Sequence, residues 1–417
     1  MKLAPEPILF LVHRIPFPPN KGDKIRSYHL LRHLSARYLV HLGTFIDSPD
    51  DAAYVEKLDE LCASHCVLSL NPMSAKLRSA QGFLTGEPLT LPYYRRRRLR
   101  RWIEQTVAVN DIRKAVVFSA AMAQYVDRLP DLHVVLDLVD VDSAKWMQYS
   151  ARHAWPLSTV YQREGKKLLS IERKAAGSAS STVFVTRSEA DLFVKLAPEF
   201  SGRLKVIENG VDTAYFAPAQ DRPSPYAAEE SAIVFTGVMD YLPNIDAVTW
   251  FSRAVFPNIL QHRPDARFYI VGMNPVSAVM ALAADSRIVV TGKVADVRPY
   301  VQHAAAVVAP LRVARGIQNK ILEAMAMARP VVVSAAASTG LSATAGVDFE
   351  SAGDSDEFCR KLLAIMQPVV GEPMGARARR RIVANYNWER NLSAFKSLLE
   401  PQPLHRNDAS LVAIDAH

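Results

Sequence analysis

The chain has 417 residues, of which 49% are hydrophobic and 22% are charged, with a formal net charge of +8. This composition excludes an intrinsically disordered chain, and the length exceeds one ordinary domain, so we expect two domains. No run of roughly 18 apolar residues occurs, and the sequence therefore predicts no membrane-spanning helix.

The first half of the chain alternates short β-branched runs with longer segments of helical periodicity. A strand is predicted at residues 8–12 and a helix at residues 25–37. Several runs lack polar alternation, which is typical of a parallel sheet with helices on both faces. Six further strands are predicted at residues 40–45, 66–70, 116–119, 134–138, 182–185 and 205–207.

The second half repeats this alternation after an irregular segment. Residues 219–231 are rich in Pro, Ser, Ala and charged side chains, and they predict a linker. We expect two doubly wound, Rossmann-like α/β domains, at residues 1–218 and 232–386, with right-handed crossovers. Residues 387–400 predict a helix that packs back on the first domain, and residues 401–417 a disordered tail. The later strands are predicted at residues 233–236, 267–271, 288–291, 307–309 and 331–334.

The three cysteines are too few and too oddly numbered for a disulfide framework, which favours a reducing compartment, the cytoplasm. Cys62 and Cys66 bracket His65 but lack a second pair of zinc ligands, so we expect buried thiols there and no metal. The apolar run at residues 8–12 is also too short for a signal peptide.

Ligands of open parallel sheets bind at the carboxyl ends of the strands, near helix N-termini. The loop after residues 8–12 contains three prolines and leads through Gly22 and Asp23 into a helix. Gly22 permits a close backbone approach, and exposed N–H groups with the helix dipole would bind an anion. The loop matches neither a Walker motif nor G-x-G-x-x-G. A plain strand-to-helix turn is the alternative.

Three carboxylates, Asp137, Asp140 and Asp142, lie at and just after the end of the strand predicted at residues 134–138. Carboxylates at the end of a buried strand are costly unless they bind or cap something. We expect Asp142 or Ser143 to cap the helix that begins near Lys145, and Asp140 to accept a hydrogen bond from an acceptor hydroxyl. A metal site is the alternative, which the spacing alone does not settle.

Residues 310–332 place a glycine turn between a strand and a helix. Arg315 and Lys320 would flank the helix N-terminus, where the dipole already favours phosphate. Glu323 follows three residues after Lys320, and its carboxylate can accept two hydrogen bonds from a ribose diol. The segment predicts a nucleotide site, and a surface helix with ordinary charges is the alternative.

Two arginine clusters carry much of the net charge, at residues 95–101 and 377–381. Such clusters suit nucleic acid, anionic lipid or phosphate-bearing substrates. Because the first cluster lacks the interleaved aromatics of a single-strand binding surface, we expect peripheral contact with an anionic membrane there and no nucleic acid. A solvated helix face is the alternative for each cluster.

The ordered motifs resemble a known family. Residues 320–326 (KILEAMA) with residues 330–332 (PVV) are similar to the donor-site signature of family 4 retaining glycosyltransferases with the GT-B fold. More narrowly, the chain resembles the sugar transferases associated with the PEP-CTERM/exosortase system of exopolysaccharide-producing bacteria. Their pattern is matched in order at residues 16–27, 137–146, 208–212, 235–247 and 315–320.

The resemblance implies two domains facing a cleft and transfer of a sugar from a UDP or GDP sugar to an acceptor hydroxyl. The anomeric configuration would be retained, with no metal or other cofactor required. The acceptor would be a saccharide or a polyprenyl-linked saccharide. Catalytic roles are expected for Arg315, Lys320 and Asp140. Binding of the nucleotide sugar is expected of Gly22, Asp23, Gly237, Asn244, Gly316, Ile317, Gln318, Asn319 and Glu323.

The sequence also departs from the family pattern. Glu323 occupies the position of the second carboxylate of the family's E-x7-E motif, which holds the ribose, but Arg315 replaces the first. The Arg and Lys that usually grip the pyrophosphate are absent, so we expect Arg315 and Lys320 to compensate the leaving diphosphate. Ser119 ends the fourth predicted strand where a histidine is common, and no catalytic base is identified. A sugar-nucleotide epimerase of the same architecture and a non-enzymatic anionic-surface binder are the alternatives.

Overall fold

A computed structural model describes residues 5–20, 22–151, 153–314 and 316–400. Its strands form two wholly parallel sheets, of order β3-β2-β1-β4-β5-β6-β7 and β10-β9-β8-β11-β12-β13. The predicted architecture of two doubly wound α/β domains is therefore confirmed. The strands are β1 (Pro7–Val12), β2 (Leu39–Ile46), β3 (Ser64–Ser69), β4 (Lys114–Phe118), β5 (His133–Val139), β6 (Ser181–Phe184), β7 (Leu204–Val206), β8 (Ser231–Thr236), β9 (Ala266–Val271), β10 (Ile288–Gly292), β11 (Ala306–Ala309), β12 (Val331–Ser334) and β13 (Glu350–Ala352).

Helices cover both faces of each sheet. We call the units built on the two sheets the N-terminal and the C-terminal domain. The helices are α1 (Gly22–Ser35), α2 (Pro72–Ser79), α3 (Gln81–Thr85), α4 (Thr90–Tyr94), α5 (Arg97–Val109), α6 (Ala120–Ala123), α7 (Asp142–Ser150), α8 (Leu157–Ser178), α9 (Arg187–Leu196), α10 (Leu242–Trp250), α11 (Phe256–His262), α12 (Ser277–Met280), α13 (Arg298–Gln302), α14 (Asn319–Ala326), α15 (Ala335–Ser338), α16 (Ser355–Ile365), α17 (Pro368–Asn385), α18 (Trp388–Leu392) and α19 (Ala394–Leu399).

Strand β1 shows why the N-terminal sheet is covered on both sides. Leu9 and Leu11 belong to the core on one face, and Ile8 and Phe10 to the core on the other. All four side chains are fully buried. Successive strand residues point to opposite faces, so a continuous apolar run requires helices on both of them.

The C-terminal helices α18 and α19 pack against the N-terminal domain. Trp388, Leu392, Phe395 and Leu399 lie in the same core as Ile8. The single helix expected at residues 387–400 is divided at Ser393 into two. Residues 401–417, expected as a disordered tail, lie outside the described residues. In the described part of the chain, no helix has the length and apolar character needed to cross a bilayer.

One local expectation is wrong, and one strand is not predicted by the sequence. Helix α7 begins at Asp142 itself, after the extended residue Val141, so neither Asp142 nor Ser143 is its capping residue. The amide of Ser143 instead donates to Glu172 at 2.9 Å, so a neighbouring helix satisfies the free N–H group. Strand β13 has three residues without an apolar run, and its pairing with β12 alone defines it.

One ion pair is buried completely inside the N-terminal domain. Arg26 Nε donates to Asp137 Oδ2 at 2.8 Å, and both side chains are 0% exposed. Arg26 Nη1 also donates to the Ile207 carbonyl at 3.0 Å and to Asn209 Oδ1 at 2.9 Å. The guanidinium thereby connects α1, the end of β5 and the segment that follows β7.

Replacement of Arg26 by Met leaves the Asp137 carboxylate buried without a charge partner. We expect the free energy of unfolding to fall by about 3–5 kcal/mol, measured by urea denaturation followed by tryptophan fluorescence. The double variant Arg26→Met/Asp137→Leu removes both charges and should recover much of that loss. Equal stability of Arg26→Met and the unmodified chain would contradict this role of the ion pair.

Candidate nucleotide-sugar site

The strand orders place a switch point in each sheet. In the C-terminal domain β8 lies between β9 and β11, and in the N-terminal domain β1 lies between β2 and β4. The loops after such strands diverge in opposite directions and leave a crevice at the carboxyl edge of the sheet. Residues from these two edges contact each other, so the crevices open into one cleft between the domains.

A lysine lies at the switch point of the C-terminal domain. Lys320 Nζ donates to Asn244 Oδ1 at 2.7 Å and lies 3.9 Å from the centroid of the Phe235 ring. Asn244 Nδ2 donates to the Val238 carbonyl at 2.8 Å, which fixes the amide. A Cβ atom on Gly237 would lie 2.7 Å from Asn244 Nδ2, so glycine is required for this close packing.

Lys320 and Glu323 have strongly shifted pKa values. Burial lowers the pKa of Lys320 to about 7, although the Glu323 charge opposes the shift. Burial likewise raises the pKa of Glu323 to about 7 against the influence of Lys320. An anion bound beside Lys320 would favour its protonated form, because an opposite charge stabilises the ammonium group. The site therefore gains positive charge when an anion binds.

The glycine turn before α14 contacts the other domain. Gly316 has a φ of +62°, and a Cβ atom there would lie 2.5 Å from Asp140 Oδ1. Both the left-handed backbone and the close approach require glycine. Asp140 Oδ2 pairs with Lys145 Nζ at 2.9 Å, and Lys145 also reaches Asp142 at 3.1 Å. Both carboxylates thus share one cationic partner.

The backbone that presents Asp140 is strained. Val139, the last residue of β5, has a φ of +69°, which is rare for a β-branched residue. Such a conformation costs on the order of 1–3 kcal/mol and is typical of functional sites. The neighbouring strand β4 is followed by Ser119, whose φ is +78°. Two adjacent strands therefore end in unusual turns at the cleft.

A narrow crevice of ≈ 50 Å³ lies between the domains beside Asp140. Tyr241 of the C-terminal domain and Tyr149 of α7 both line it. Gln318, which precedes α14, also lines it. Ligand pockets usually measure about 300–1,000 Å³, so the two domains are in close contact here.

A hydrogen-bonded chain also crosses the cleft. Asn209, which accepts from Arg26, donates through Nδ2 to Asn319 Oδ1 at 3.4 Å. A Cβ atom on Gly22 would lie 3.9 Å from Asn319 Nδ2. The N-terminal residue of α14 is thus in contact with the loop after β1 and with the segment after β7.

Asp23 has different partners from the other predicted site residues. Its Oδ2 atom accepts from Arg14 Nη1 at 2.8 Å and lies 3.3 Å from His13 Nε2. Burial would raise the pKa of Asp23, but these two neighbours outweigh it and bring the pKa well below its usual range. Asp23 is thus a carboxylate inside an ionic cluster of its own domain.

The remaining predicted residues divide as follows. Ile317 is buried in the core of the C-terminal domain, so its side chain supports the loop. Arg315 lies outside the described residues. The sequence reasoning did not select Lys145, Tyr149 or Asn209 as site residues. Lys145 and Asn209 lie inside the matched motifs, and this position could have identified them from the sequence. Tyr149 lies outside every motif, so nothing in the sequence pointed to it.

No group of three or more His, Cys, Asp or Glu side chains is arranged for a metal ion within the described ranges. Cys62, Cys66 and Cys359 are free thiols. The carboxylates after β5 are occupied instead by Arg26 and Lys145.

Residues 230–368 match the protein family described as "Glycosyl transferases group 1". This range contains β8 to β13, and it therefore includes the strands on both sides of the switch point at Lys320. No curated protein sequence matches the chain.

Solved glycosyltransferases with the GT-B fold are among the structures similar to this chain. Sucrose-phosphate synthase from Thermosynechococcus elongatus has a TM-score of 0.73 at 18% identity, with 94% of this chain and 98% of that chain covered. HepE from Anabaena, in complex with UDP and glucose, has a TM-score of 0.68 at 15% identity, with 94% and 99% covered. WaaG, involved in lipopolysaccharide biosynthesis, has a TM-score of 0.60 at 14% identity, with 95% and 100% covered. The chain therefore has the GT-B fold, with a group 1 glycosyltransferase domain at residues 230–368.

Proposed function

We propose that the chain is a family 4 retaining glycosyltransferase, which transfers a sugar from a nucleoside diphosphate sugar to an acceptor hydroxyl. The observation that carries the proposal is the partly buried Lys320–Asn244 pair, with Glu323 one helical turn away, at the switch point of the C-terminal domain. This domain matches the group 1 glycosyltransferase family. The same edge of a parallel sheet binds nucleotides in other doubly wound folds.

Different residues around Lys320 would bind different parts of the donor. Lys320 would pair with the diphosphate, and the Glu323 carboxylate would accept hydrogen bonds from the ribose hydroxyls. Gly237 and Gly316 lie against Asn244 and Asp140. The phosphates would lie beside the N-terminus of α14, where the helix dipole favours an anion. Arg315 is assigned from the sequence to the same diphosphate.

The reaction breaks the bond between the anomeric carbon and the diphosphate oxygen and forms a bond from that carbon to the acceptor oxygen. The proton of the acceptor hydroxyl leaves with the nucleoside diphosphate. Negative charge develops on the leaving diphosphate, and a cation already positioned there lowers the barrier. Asp140, on the opposite side of the cleft, would accept a hydrogen bond from the acceptor hydroxyl. Its pairing with Lys145 keeps this carboxylate oriented.

The donor and acceptor classes have separate support. HepE, which shares the fold, was crystallised with UDP-glucose, and this supports a UDP sugar over a GDP sugar here. The motif resemblance supports a role in bacterial exopolysaccharide biosynthesis, with a saccharide or polyprenyl-linked saccharide as acceptor. We place the reaction in the cytoplasm, at the inner face of the membrane, without a required metal.

The proposal is tested with a panel of UDP and GDP sugars in isothermal calorimetry, followed by NMR of the product formed with a saccharide acceptor. We expect one sugar nucleotide to bind, and the product to keep the anomeric configuration of the donor. An inverted product would refute the retaining mechanism. Conversion of the sugar nucleotide without any acceptor would indicate the epimerase instead, and absence of binding across the panel would refute both.

Substitution Lys320→Met tests the diphosphate contact. Loss of a charged hydrogen bond should weaken UDP binding by about 10–100-fold, with little effect on uridine, which lacks phosphate. If ligand binding raises the pKa of a lysine, that lysine contributes its full share of the affinity below the pKa it has in the unliganded protein. Above that pKa its contribution declines. In the unmodified chain the ratio of UDP to uridine affinity should therefore fall as the pH rises above about 7.

The same calorimetric titration of Lys320→Met supplies the control. Without the titrating lysine, this decline above neutral pH should be absent from the affinity ratio. Equal affinity ratios in the variant and the unmodified chain at every pH would show that Lys320 does not contact the diphosphate.

A further inference from the structure

An apolar ridge projects from the N-terminal domain at α2 and α3. Met73, Leu77 and Leu84 are 82%, 77% and 90% exposed. Ala80, which joins the two helices, has helical dihedrals (φ −59°, ψ −24°) and is also exposed. Spacings of four, three and four residues place these side chains on one face of a nearly continuous helix. We call these four residues the ridge.

Basic side chains border the ridge. Residues 72–101 contain eight Lys and Arg residues and one Glu, although the whole chain has a net charge of only +8. Arg78 lies near enough to Arg96 for their charges to interact. Beyond Arg96, α5 buries Leu99 and Ile103. Three arginines of this helix remain exposed, and we call them the arginine rim: Arg97, Arg98 and Arg101.

Contacts with α8 hold this region in place. The Arg163 guanidinium lies 4.9 Å from the Phe83 ring centroid and donates to the Gly82 carbonyl at 2.6 Å. Glu164 accepts from the amide of Leu89 at 2.7 Å and from the amide of Thr90 at 3.1 Å. The outward position of the ridge is thus fixed by polar contacts on its inner side.

We propose that the ridge and the arginine rim form a docking surface for an anionic lipid bilayer. Apolar side chains of an interfacial helix enter the boundary between headgroups and acyl chains, and flanking arginines bind lipid phosphates. Nucleic acid would match the charge but not the aliphatic ridge. The neighbouring Phe83 ring, which is half exposed, is already covered on one face by the Arg163 guanidinium and so offers a poor surface for base stacking. A solvated helix face would not expose four apolar residues at regular spacing.

The docking surface is continuous with the cleft. Helix α4 follows the ridge, and the ring of its last residue, Tyr94, lies 5.8 Å from that of His13. His13 follows β1 directly, at the carboxyl edge of the N-terminal sheet. If the proposed transfer reaction holds, an acceptor carried by a lipid would enter the cleft from this side.

The test is sedimentation of the full chain with vesicles of phosphatidylcholine alone or of phosphatidylcholine mixed with phosphatidylglycerol. We expect strong partitioning to the anionic vesicles only. Replacing the rim (Arg97→Gln/Arg98→Gln/Arg101→Gln) should weaken it by about 100-fold, because each basic residue near the surface contributes about fivefold. Replacing the ridge (Met73→Ser/Leu77→Ser/Leu84→Ser) should weaken it by more than about tenfold.

A matched control removes three exposed arginines of the C-terminal domain, Arg253→Gln/Arg360→Gln/Arg380→Gln, and should leave partitioning unchanged. Equal partitioning to both vesicle types, or an unchanged ridge variant, would overturn the proposal. So would a ridge-dependent dimer in size-exclusion chromatography without vesicle binding, which would identify a protein partner. Calorimetry of sugar nucleotides on the same variants reports the proposed transferase function separately, and we expect donor affinity to be unaffected.

Discussion

The buried guanidinium of Arg26 is the interaction on which the geometry of the cleft depends. It connects three segments that are distant in sequence, through Asp137, Ile207 and Asn209. A guanidinium offers five donors in one plane, so it can bind these acceptors in fixed directions, whereas an ammonium group cannot. Asn209 also contacts Asn319, the first residue of α14. The buried Arg26–Asp137 ion pair therefore positions loops of the N-terminal domain against helix α14 of the C-terminal domain.

The fold could be predicted from the sequence because buried parallel strands occur in it as short apolar runs. Twelve of the thirteen described strands coincide with such runs, among them β1 and β8. Strand β13 could not be predicted, because its three residues gain strand geometry only by pairing with β12. The division of the last helix at Ser393 could not be predicted either, because α18 and α19 share one apolar periodicity and pack into the same core.

The sequence predicts which segments form the candidate site, but not which of their side chains contact one another. The glycine turn and Lys320 lie at the switch point where the motif placed them, yet the pairing of Lys320 with Asn244 joins residues 76 positions apart. Asp23 shows the opposite result: the sequence placed it beside an anion site, whereas Arg14 and His13 engage its carboxylate. Side-chain direction depends on tertiary neighbours, which a single sequence does not specify.

The two domains present different chemistry to the cleft, and the difference follows from where their charges are buried. The C-terminal domain holds Lys320 and Glu323 with pKa values near neutrality, so its charge responds to an anionic ligand. In the N-terminal domain Asp137 and Asp140 already have cationic partners, and the excess positive charge lies outside, on the arginine rim. In the proposed reaction, a donor phosphate would therefore be drawn to the C-terminal domain, while an acceptor would approach from the side of the N-terminal domain. This division would prevent the two substrates from competing for the same cations.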